Sequence, residues 1–569
     1  MNQAFKHSNN QTSKKAIIPG GVTLKKTVFS MLALVLSVSL ILSACGKGSD
    51  NKATNNAGTT NTESGPVEMT FFAPQGKAAW EDNTYTKHVE EKFNVKIKWD
   101  VAPADALIDR RQLLLASGDY PEVFLEGKFT HTDLLTYGKQ GVFLPLNDLI
   151  EKYAPNITAM MEKKPYFKEA ITATDGNIYA LPRLNECYHC TFSQKFWMNK
   201  EWLDKVGLGV PTTTDELYTV LKAFKEQDPN GNGKADEIPL TGAPNKNVWN
   251  GNVDAFLMNS FIYNDNSKYL IQNDGKVEFA ANQEAWKQGL IYMNKLYKDG
   301  LIDPASFTQN DQAIGQLGNR EGDELVGSIT TALVSYLVNP YDSKVTRHQH
   351  WVIVPPLKGP DGVQLAGASQ GISEFQFALT NKASEAQQIA AIKIMDYAFS
   401  EEGALLGENG TEEGFAWKKA EADEKNIDGK PAKYSFYGIP EADPDLIRND
   451  SWSLMGPRDL SKEFRDLFAV GQDPLAAEGY ETRLAQATNE YAPYSPAEIY
   501  PSGVFIRPDD MDAASQLTTA IQDYVTSNMA QFIIGSKNID KDWDSYVKGF
   551  EGLNLAKYLE IYGNAIKKD

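Results

Sequence analysis

The segment from Val67 to Leu125 restricts the possible folds more than any other part of the chain. Within it, three stretches have the alternation or short apolar run of strands, and two have the spacing of amphipathic helices. Strands that alternate with helices form a parallel sheet covered by helices, so an α/β fold is expected. In chain order these patterns are a strand at Val67–Phe72, a helix at 80–93, a strand at Asn94–Val101, a helix at Leu107–Ser117 and a strand at Glu122–Leu125.

The remaining chain continues this alternation and becomes mostly helical in its last third. Its length of 569 residues, with 42% hydrophobic and 23% charged residues, predicts at least two globular domains. We therefore expect two α/β lobes, with the chain crossing between them more than once, and a helical C-terminal part. The further helical patterns are Asp215–Gln227, Glu284–Lys298, Ser384–Phe399, Ala513–Ile534 and Trp543–Tyr562, and the further strand patterns are Trp351–Val354 and Phe375–Thr380.

The N-terminus has the pattern of an export signal. Basic residues, including Lys25 and Lys26, precede an apolar run from Val28 to Leu42. This run is shorter than the about 20 residues that a membrane-spanning helix needs. It ends in Leu42-Ser43-Ala44-Cys45-Gly46, which resembles the lipobox of bacterial lipoproteins. The resemblance implies a signal peptide at 1–44, lipidation of Cys45 and contact with the cell membrane through this lipid only; the alternative is an uncleaved anchor.

Residues 46–65 are rich in Gly, Ser, Asn and Thr and contain no apolar cluster, which is typical of a flexible tether. We expect a tether at 45–66 and a two-lobe domain at 67–569, outside the cytoplasm and anchored as in Gram-positive lipoproteins. The formal net charge of −19 argues against binding to nucleic acid.

The ten residues Asp228–Glu237 (DPNGNGKADE) match the first part of a calcium-binding loop of the D-x-[DN]-x-[DN]-G type. Oxygen donors occupy positions 1, 3, 5, 7 and 9, and Gly233 at position 6 allows the tight turn. Position 12 is Pro239, so Glu237 at position 10 would supply the closing carboxylate. We expect a structural Ca²⁺ site; the alternative is a polar Asn-Gly turn. The ligands would be Asp228, Asn230, Asn232, the Lys234 carbonyl, Asp236 and Glu237.

Cys187-Tyr188-His189-Cys190 is a C-x-x-C motif that follows the predicted export signal. In an oxidising compartment a structural disulfide is expected. A redox-active pair, half of a zinc site and two free thiols remain alternatives. We expect His189 to be a loop or ligand-contact residue, together with Tyr188.

The sequence contains no nucleotide-binding P-loop and no G-x-G-x-x-G after a predicted strand. Acidic pairs such as Asp215-Glu216 and Glu412-Glu413 could serve a glycosidase, but solvated helix or loop faces are the expected role. Flat aromatic rings stack on sugars, and Trp80, Trp249, Trp417 and Trp452 lie in loop-like stretches beside polar residues. They are candidate ligand platforms, with packing in the core as the alternative.

Several segments resemble the extracellular solute-binding proteins of family 1. They are Ala116–Val123 (ASGDYPEV), Gly141–Ile150 (GVFLPLNDLI), Asp175–Pro182 (DGNIYALP) and Asn199–Leu208 (NKEWLDKVGL). The calcium-type loop is similar to that of the long branch, which includes the LplA-like lipoproteins and the alginate-oligosaccharide-binding proteins.

This resemblance implies a two-lobe, type II-like periplasmic-binding-protein fold with a hinge between the lobes. It also implies a monomer that binds an oligosaccharide between its lobes and delivers it to the permease subunits of an ABC transporter, without catalysis. The alternatives are a secreted glycan-active enzyme, either a lyase or a glycosidase, and a sensor that presents sugar to a membrane kinase. Turnover of the ligand would distinguish the enzyme from the other two.

Overall fold

The computed structural model describes residues 65–341, 346–369, 371–436, 450–501 and 503–566. The predicted signal peptide, Cys45 and the tether up to residue 64 lie outside these residues. In the described ranges, no helix is both long and apolar enough to cross a membrane.

Several helices begin at a capping side chain, and several end at a residue that leaves the helical conformation. The Thr213 hydroxyl, for example, accepts a hydrogen bond from the Glu216 N–H at the start of one helix, and Gly118 ends another at φ 80°. The α-helices are Thr84–Phe93, Leu107–Ser117, His131–Lys139, Asn147–Tyr153, Pro155–Lys163, Pro165–Ile171, Lys200–Val206, Thr214–Glu226, Val253–Leu257, Glu284–Lys298, Asp311–Gly318, Glu385–Ala398, Glu401–Asn409, Lys462–Arg465, Tyr480–Asn489, Met511–Ile534, Ile539–Gly552 and Leu555–Ala565.

The described strands form two main sheets and two short hairpins. The strands are β1 Val67–Pro74, β2 Val95–Ala102, β3 Val123–Phe124, β4 Ala180–Asn185, β5 Phe196–Asn199, β6 Leu270–Asn273, β7 Lys276–Phe279, β8 Ser328–Thr330, β9 Trp351–Val354, β10 Ile372–Leu379, β11 Trp417–Lys419, β12 Tyr434–Phe436 and β13 Asp459–Leu460. The larger sheet has six strands in the order β13-β4-β10-β3-β1-β2, and the smaller has three in the order β8-β5-β9.

The predicted parallel core of the larger sheet is confirmed. Strand β1 pairs in parallel with β2 on one side, in the register Val67 to Val95, and with β3 on the other. Strand β10, which comes from much later in the chain, inserts antiparallel between β3 and β4. The sheet is therefore mixed, a feature that the local patterns did not predict.

One predicted helix is wrong in its extent. The pattern from Trp543 to Tyr562 predicts a single helix, but the chain forms two helices that meet at Leu553 and Asn554. Asn554 adopts the left-handed conformation with φ 56°, which asparagine tolerates better than most residues. This residue ends the helical hydrogen bonding and redirects the chain.

Each main sheet belongs to its own lobe. The six-stranded sheet lies in one buried hydrophobic cluster that includes Phe71, Phe124 and Phe377. The three-stranded sheet borders two further clusters, one of which contains the packed C-terminal helices around Phe532 and Tyr546. The structure thus has the expected mixed α/β architecture with a helical C-terminal part.

Three segments of the described chain connect elements of the larger-sheet cluster to elements of the other two clusters. The first crossing segment, residues 186–195, joins β4 to β5, and the second, residues 355–369, leads from β9 towards β10. The third, residues 466–479, joins the short helix after β13 to helix Tyr480–Asn489.

Candidate functional site

A cavity of about 380 Å³ lies at the crossing segments, next to the carboxyl end of β4. Its volume is within the usual range for small-molecule sites, and its position beside strand ends is a frequent one for ligands in α/β folds. The lining residues come from helix Pro165–Ile171, from the end of β4, from the first two crossing segments and from the residue just before β10. They are Tyr166, Asn185, Glu186, Cys190, Thr191, Ser369 and Gly371.

Backbone hydrogen bonds fix the floor of this cavity. The Asn185 N–H donates to the Gly371 carbonyl at 2.8 Å, and the Glu186 N–H donates to the Leu460 carbonyl at 3.0 Å. The Arg465 guanidinium donates to the side-chain oxygen of Asn185. Strands from distant parts of the chain therefore set the positions of the Asn185 and Glu186 side chains.

The Glu186 carboxylate accepts hydrogen bonds from three directions. The Lys164 ammonium lies 2.7 and 2.9 Å from its two oxygens, the Tyr166 hydroxyl donates to one of them, and the Lys462 N–H donates to the other at 2.8 Å. Burial raises the pKa of Glu186, but these donors outweigh burial and lower the pKa below its usual value. Glu186 is thus an ionised and oriented group in the cavity wall.

The first crossing segment contains the C-x-x-C motif. The structure joins Cys187 and Cys190 by a disulfide with a Cα–Cα distance of 5.4 Å. The side-chain donor atoms of Cys187, His189 and Cys190 lie within 4.8 Å of one another, but the disulfide uses both sulfur atoms. Thiolate ligation of zinc is incompatible with that bond.

Tyr188 and His189, the two residues between the cysteines, face protein groups. The Tyr188 hydroxyl donates to Asp466 at 2.7 Å, and His189 Nδ1 lies 2.8 Å from Glu481 Oε1. The Trp249 ring is 6.3 Å from the His189 ring. The structure therefore brings these three predicted ligand residues close to the crossing segments, although none of them lines the cavity.

The other three candidate tryptophans are buried in the hydrophobic cluster of the larger sheet, and in this structure they present no face to a ligand. Trp80 and Trp452 are each 4% exposed and Trp417 is 7% exposed. Each indole N–H donates within the protein. Trp80 donates to the Pro74 carbonyl, Trp452 to the Thr86 hydroxyl and Trp417 to the Gly410 carbonyl. The structure thus favours the packing alternative for all three.

The calcium-type loop lies between helix Thr214–Glu226 and a bridge in which Ile238 pairs with Val326. Its side chains converge. The Asp228 carboxylate accepts hydrogen bonds from the N–H groups of Asn232 and Gly233, at 3.1 and 2.9 Å. The side-chain amides of Asn230 and Asn232 both donate to Asp236 at 3.1 Å.

One carboxylate oxygen of this loop, Glu237 Oε1, is buried and has no hydrogen-bond partner among the described residues. Burial, followed by the charges of Asp228 and Asp236, raises the pKa of Glu237. A buried acceptor near two further carboxylates is an environment that a hard cation with oxygen ligands would stabilise. The donor set fits Ca²⁺, with the Lys234 carbonyl as an additional oxygen.

The two acidic pairs considered for catalysis are exposed and have local roles. Glu216 accepts from the N–H and the hydroxyl of Thr212, at 2.7 and 2.8 Å, before helix Thr214–Glu226. Glu413 accepts from the Lys419 N–H at 3.2 Å. Neither pair contributes to the lining of the cavity.

The sequence patterns did not identify most of the cavity wall. Tyr166, Asn185, Glu186 and Thr191 belong to no sequence motif of recognised chemistry, whereas Cys190 belongs to the C-x-x-C motif. The one available signal is position, because Asn185 and Glu186 follow closely after the family-like segment Asp175–Pro182 (DGNIYALP).

Comparisons with known proteins agree with this architecture. The sequence profile of the bacterial extracellular solute-binding protein family matches residues 77–405. The fructooligosaccharide ABC transporter substrate-binding protein FusA of Streptococcus pneumoniae is 29% identical over 558 residues, covering 95% of this chain and 98% of FusA. Lipoprotein LipO of Bacillus subtilis is 22% identical over 543 residues, covering 95% of this chain and 96% of LipO.

Solved structures of FusA superpose on this fold. FusA in complex with kestose has a TM-score of 0.67 and 27% identity, covering 87% of this chain and 98% of the FusA chain. An EF-hand mutant of FusA in complex with fructo-nystose has the same TM-score, 26% identity and the same coverage.

Proposed function

The chain belongs to the bacterial extracellular solute-binding proteins, and we propose that it captures an oligosaccharide outside the cytoplasm and delivers it to the permease subunits of an ABC importer. The observation that carries this proposal is the cavity at the crossing segments of two α/β lobes, in a family and among relatives that are binding proteins. The nearly full-length similarity to FusA supports an oligosaccharide as the ligand.

The chemistry of the cavity favours a neutral sugar. Its described lining offers a phenol, an amide and two hydroxyls, which can exchange hydrogen bonds with sugar hydroxyls. The described lining contains neither Lys nor Arg, and its single charged member, Glu186, is already paired with Lys164 behind it. A uronic acid would lose hydration there, it would meet a carboxylate, and it would have to compete with that carboxylate for the lysine.

Capture requires motion of the lobes and no covalent chemistry. Rotation about the crossing segments would close the lobes over the sugar and exclude water from its hydrogen bonds. A ligand that contacts both lobes only in the closed form shifts the population towards that form. The closed form would then be the one that the permease accepts, while other subunits of the transporter supply the energy of import.

We also propose that Asp228, Asn230, Asn232, the Lys234 carbonyl, Asp236 and Glu237 hold a structural Ca²⁺. The support is the convergence of the loop side chains, which hydrogen bonds to the carboxylates of Asp228 and Asp236 hold together, and the unpartnered buried oxygen of Glu237. The existence of an EF-hand mutant of the related FusA is consistent with such a site. The ion would neutralise the carboxylates and fix the loop; it would take no part in capture.

For anchoring, we propose cleavage before Cys45 and attachment of a lipid to its thiol. The support is the lipobox-like sequence and the similarity to lipoprotein LipO. The acidic folded part would then work as a monomer outside the cytoplasm, linked to the membrane by the tether.

Titration calorimetry tests the proposed ligand class. The chain from residue 45, with Cys45→Ser to prevent lipidation, is titrated with kestose, nystose and maltotriose, and with trigalacturonate as the anionic sugar. We expect at least one neutral sugar to bind and trigalacturonate to bind at least about 100-fold more weakly, because its carboxylates would meet Glu186, whose counter-charge Lys164 is already paired. Glu186→Gln should reduce this discrimination, whereas the exposed control Glu490→Gln should not.

Each other outcome has a defined meaning. Equal binding of trigalacturonate would contradict the neutral assignment. Recovery of a shortened sugar by chromatography would identify an enzyme. Absence of binding by any of a broad set of oligosaccharides would contradict the carbohydrate assignment and leave the family membership intact.

A further inference from the structure

The three crossing segments meet at a single turn, Cys187–Cys190. This turn belongs to the first crossing segment, and its disulfide closes it over only four residues. Cys190 also forms part of the cavity wall. The turn is therefore both a covalently closed element of the hinge and a neighbour of the ligand cavity.

Two side chains of the turn contact residues at the two ends of the third crossing segment. The Tyr188 hydroxyl donates to Asp466 at 2.7 Å, and His189 Nδ1 lies 2.8 Å from Glu481 just beyond the other end. The Lys462 ammonium lies 2.7 Å from Asp466 and 5.5 Å from the centre of the Tyr188 ring. Both contacts of the turn involve a charged carboxylate, the stronger class of hydrogen bond.

The turn also binds the second crossing segment through its backbone. The Ser369 hydroxyl donates to the Cys190 carbonyl at 3.1 Å, and the Ser369 N–H donates to the Thr191 carbonyl at 2.8 Å. Cys190, Thr191 and Ser369 all line the cavity. The position of this wall thus depends on the conformation of the turn.

The buried amino group of Lys195 holds the turn through its backbone carbonyls. Lys195, which is fully buried, donates from Nζ to the His189 carbonyl at 2.9 Å and to the Phe192 carbonyl. These carbonyls satisfy the amino group only while residues 187–192 fold back over it. Opening the turn would leave a buried donor without partners, which is costly.

We propose that the disulfide-closed turn Cys187–Cys190 is the positioning element of the hinge: it holds the three crossing segments in fixed positions relative to one another and fixes the Cys190–Thr191 wall of the cavity. Its effect on ligand affinity rests on the proposed function, whereas its effect on the crossing segments does not. The disulfide restricts Tyr188 and His189 to the conformation in which both reach their carboxylate partners. Without the disulfide, residues 187–190 would have more conformational freedom. The two side-chain contacts and the Ser369 hydrogen bonds would then have to hold the turn by themselves.

The test compares three forms of the chain from residue 45: the oxidised protein, the double variant Cys187→Ala/Cys190→Ala, and Tyr188→Phe, which keeps the disulfide and removes one hydrogen bond. Tyr120→Phe is the matched control, because the Tyr120 hydroxyl also donates one long-range hydrogen bond, to Asn381 at 3.1 Å, remote from the crossing segments. Hydrogen–deuterium exchange is measured without ligand, and kestose affinity is measured by calorimetry.

We expect the double variant to exchange at least about tenfold faster in residues 355–369 and 466–480, with strands β1 and β5 unchanged. Tyr188→Phe should accelerate 466–480 in the same direction, and Tyr120→Phe should leave both segments unchanged. Kestose affinity should fall at least about fivefold in the double variant, with a smaller loss in Tyr188→Phe.

Unchanged exchange in both crossing segments of the double variant would overturn the proposal. So would faster exchange spread evenly over both lobes of Tyr188→Phe, since that result would show a general loss of stability. If kestose and the other sugars bind to no form, the proposed function fails, while the exchange result still decides the role of the turn.

Discussion

Replacing Glu237 by Gln separates a calcium-binding loop from an ordinary polar turn. In the described structure, Glu237 Oε1 is buried without a hydrogen-bond partner, and the carboxylates of Asp228 and Asp236 lie in the same ten-residue loop. Without a cation these charges repel one another, so removal of one of them should not destabilise the protein. With the cation, the same substitution removes a ligand.

The magnitude follows from mass action. Free Ca²⁺ at 100 times its Kd stabilises the folded chain by about 2.7 kcal/mol. An unfolding entropy of about 2.1 cal/mol/K per residue gives about 1 kcal/mol/K for a folded part of about 500 residues, so the expected rise in Tm is about 2–3 °C. Loss of an outer-shell partner weakens metal binding by about 10–100-fold, and loss of a direct ligand should weaken Ca²⁺ binding by at least as much. At least about half of the rise should therefore disappear in Glu237→Gln.

Differential scanning fluorimetry with a Ca²⁺ titration and with a chelator measures both effects. Glu226→Gln is the matched control, because Glu226 is exposed, lies two residues before the loop and forms only a weak ion pair with Lys222 at 3.9 Å. The reasoning is refuted if Ca²⁺ leaves the Tm of the wild-type chain unchanged. It is equally refuted if Glu237→Gln responds to Ca²⁺ as the wild type does, or if it is already destabilised in chelator.

Three further predictions concern stability. Burial raises the pKa of Glu463, but its own backbone N–H and the ammonium groups of Lys164 and Lys163 lower the pKa to about 2. The stability it contributes is therefore present above pH 4.5 and is lost as pH falls towards 2, so denaturation curves should show a deficit for Glu463→Gln at pH 7 that shrinks by pH 3. Trp452→Ala should lower the free energy of unfolding in urea by about 3–5 kcal/mol, the range for large aromatic deletions, and leave the sugar affinity of the folded protein unchanged. Asn554→Ala should cost about 1 kcal/mol by the same measurement, because alanine resists the left-handed conformation, whereas Asn554→Gly should be nearly neutral.

The local architecture could be predicted from the sequence because its cause is local. Helix Glu284–Lys298 has the predicted bounds, and strands β1, β2 and β3 form the predicted parallel core. The antiparallel insertion of β10 could not be predicted in this way, since strand partners far apart in the chain are chosen by packing of the whole lobe. The break at Asn554 has only a weak signal, because asparagine also occurs within helices.

The same distinction between local and long-range causes applies to the candidate site. The residues of the loop Asp228–Glu237 lie close together in the chain, as do Cys187 and Cys190, so the sequence alone determines which side chains can converge there. The environment of Glu186 depends on Lys164, 22 residues earlier, and on Lys462, 276 residues later. Likewise, Trp80, Trp417 and Trp452 have sequence neighbours typical of loops but are buried. Periodicity and short-range spacing are properties of adjacent residues, whereas burial and the meeting of distant side chains exist only after the lobes have packed, and so only the tertiary structure decided them.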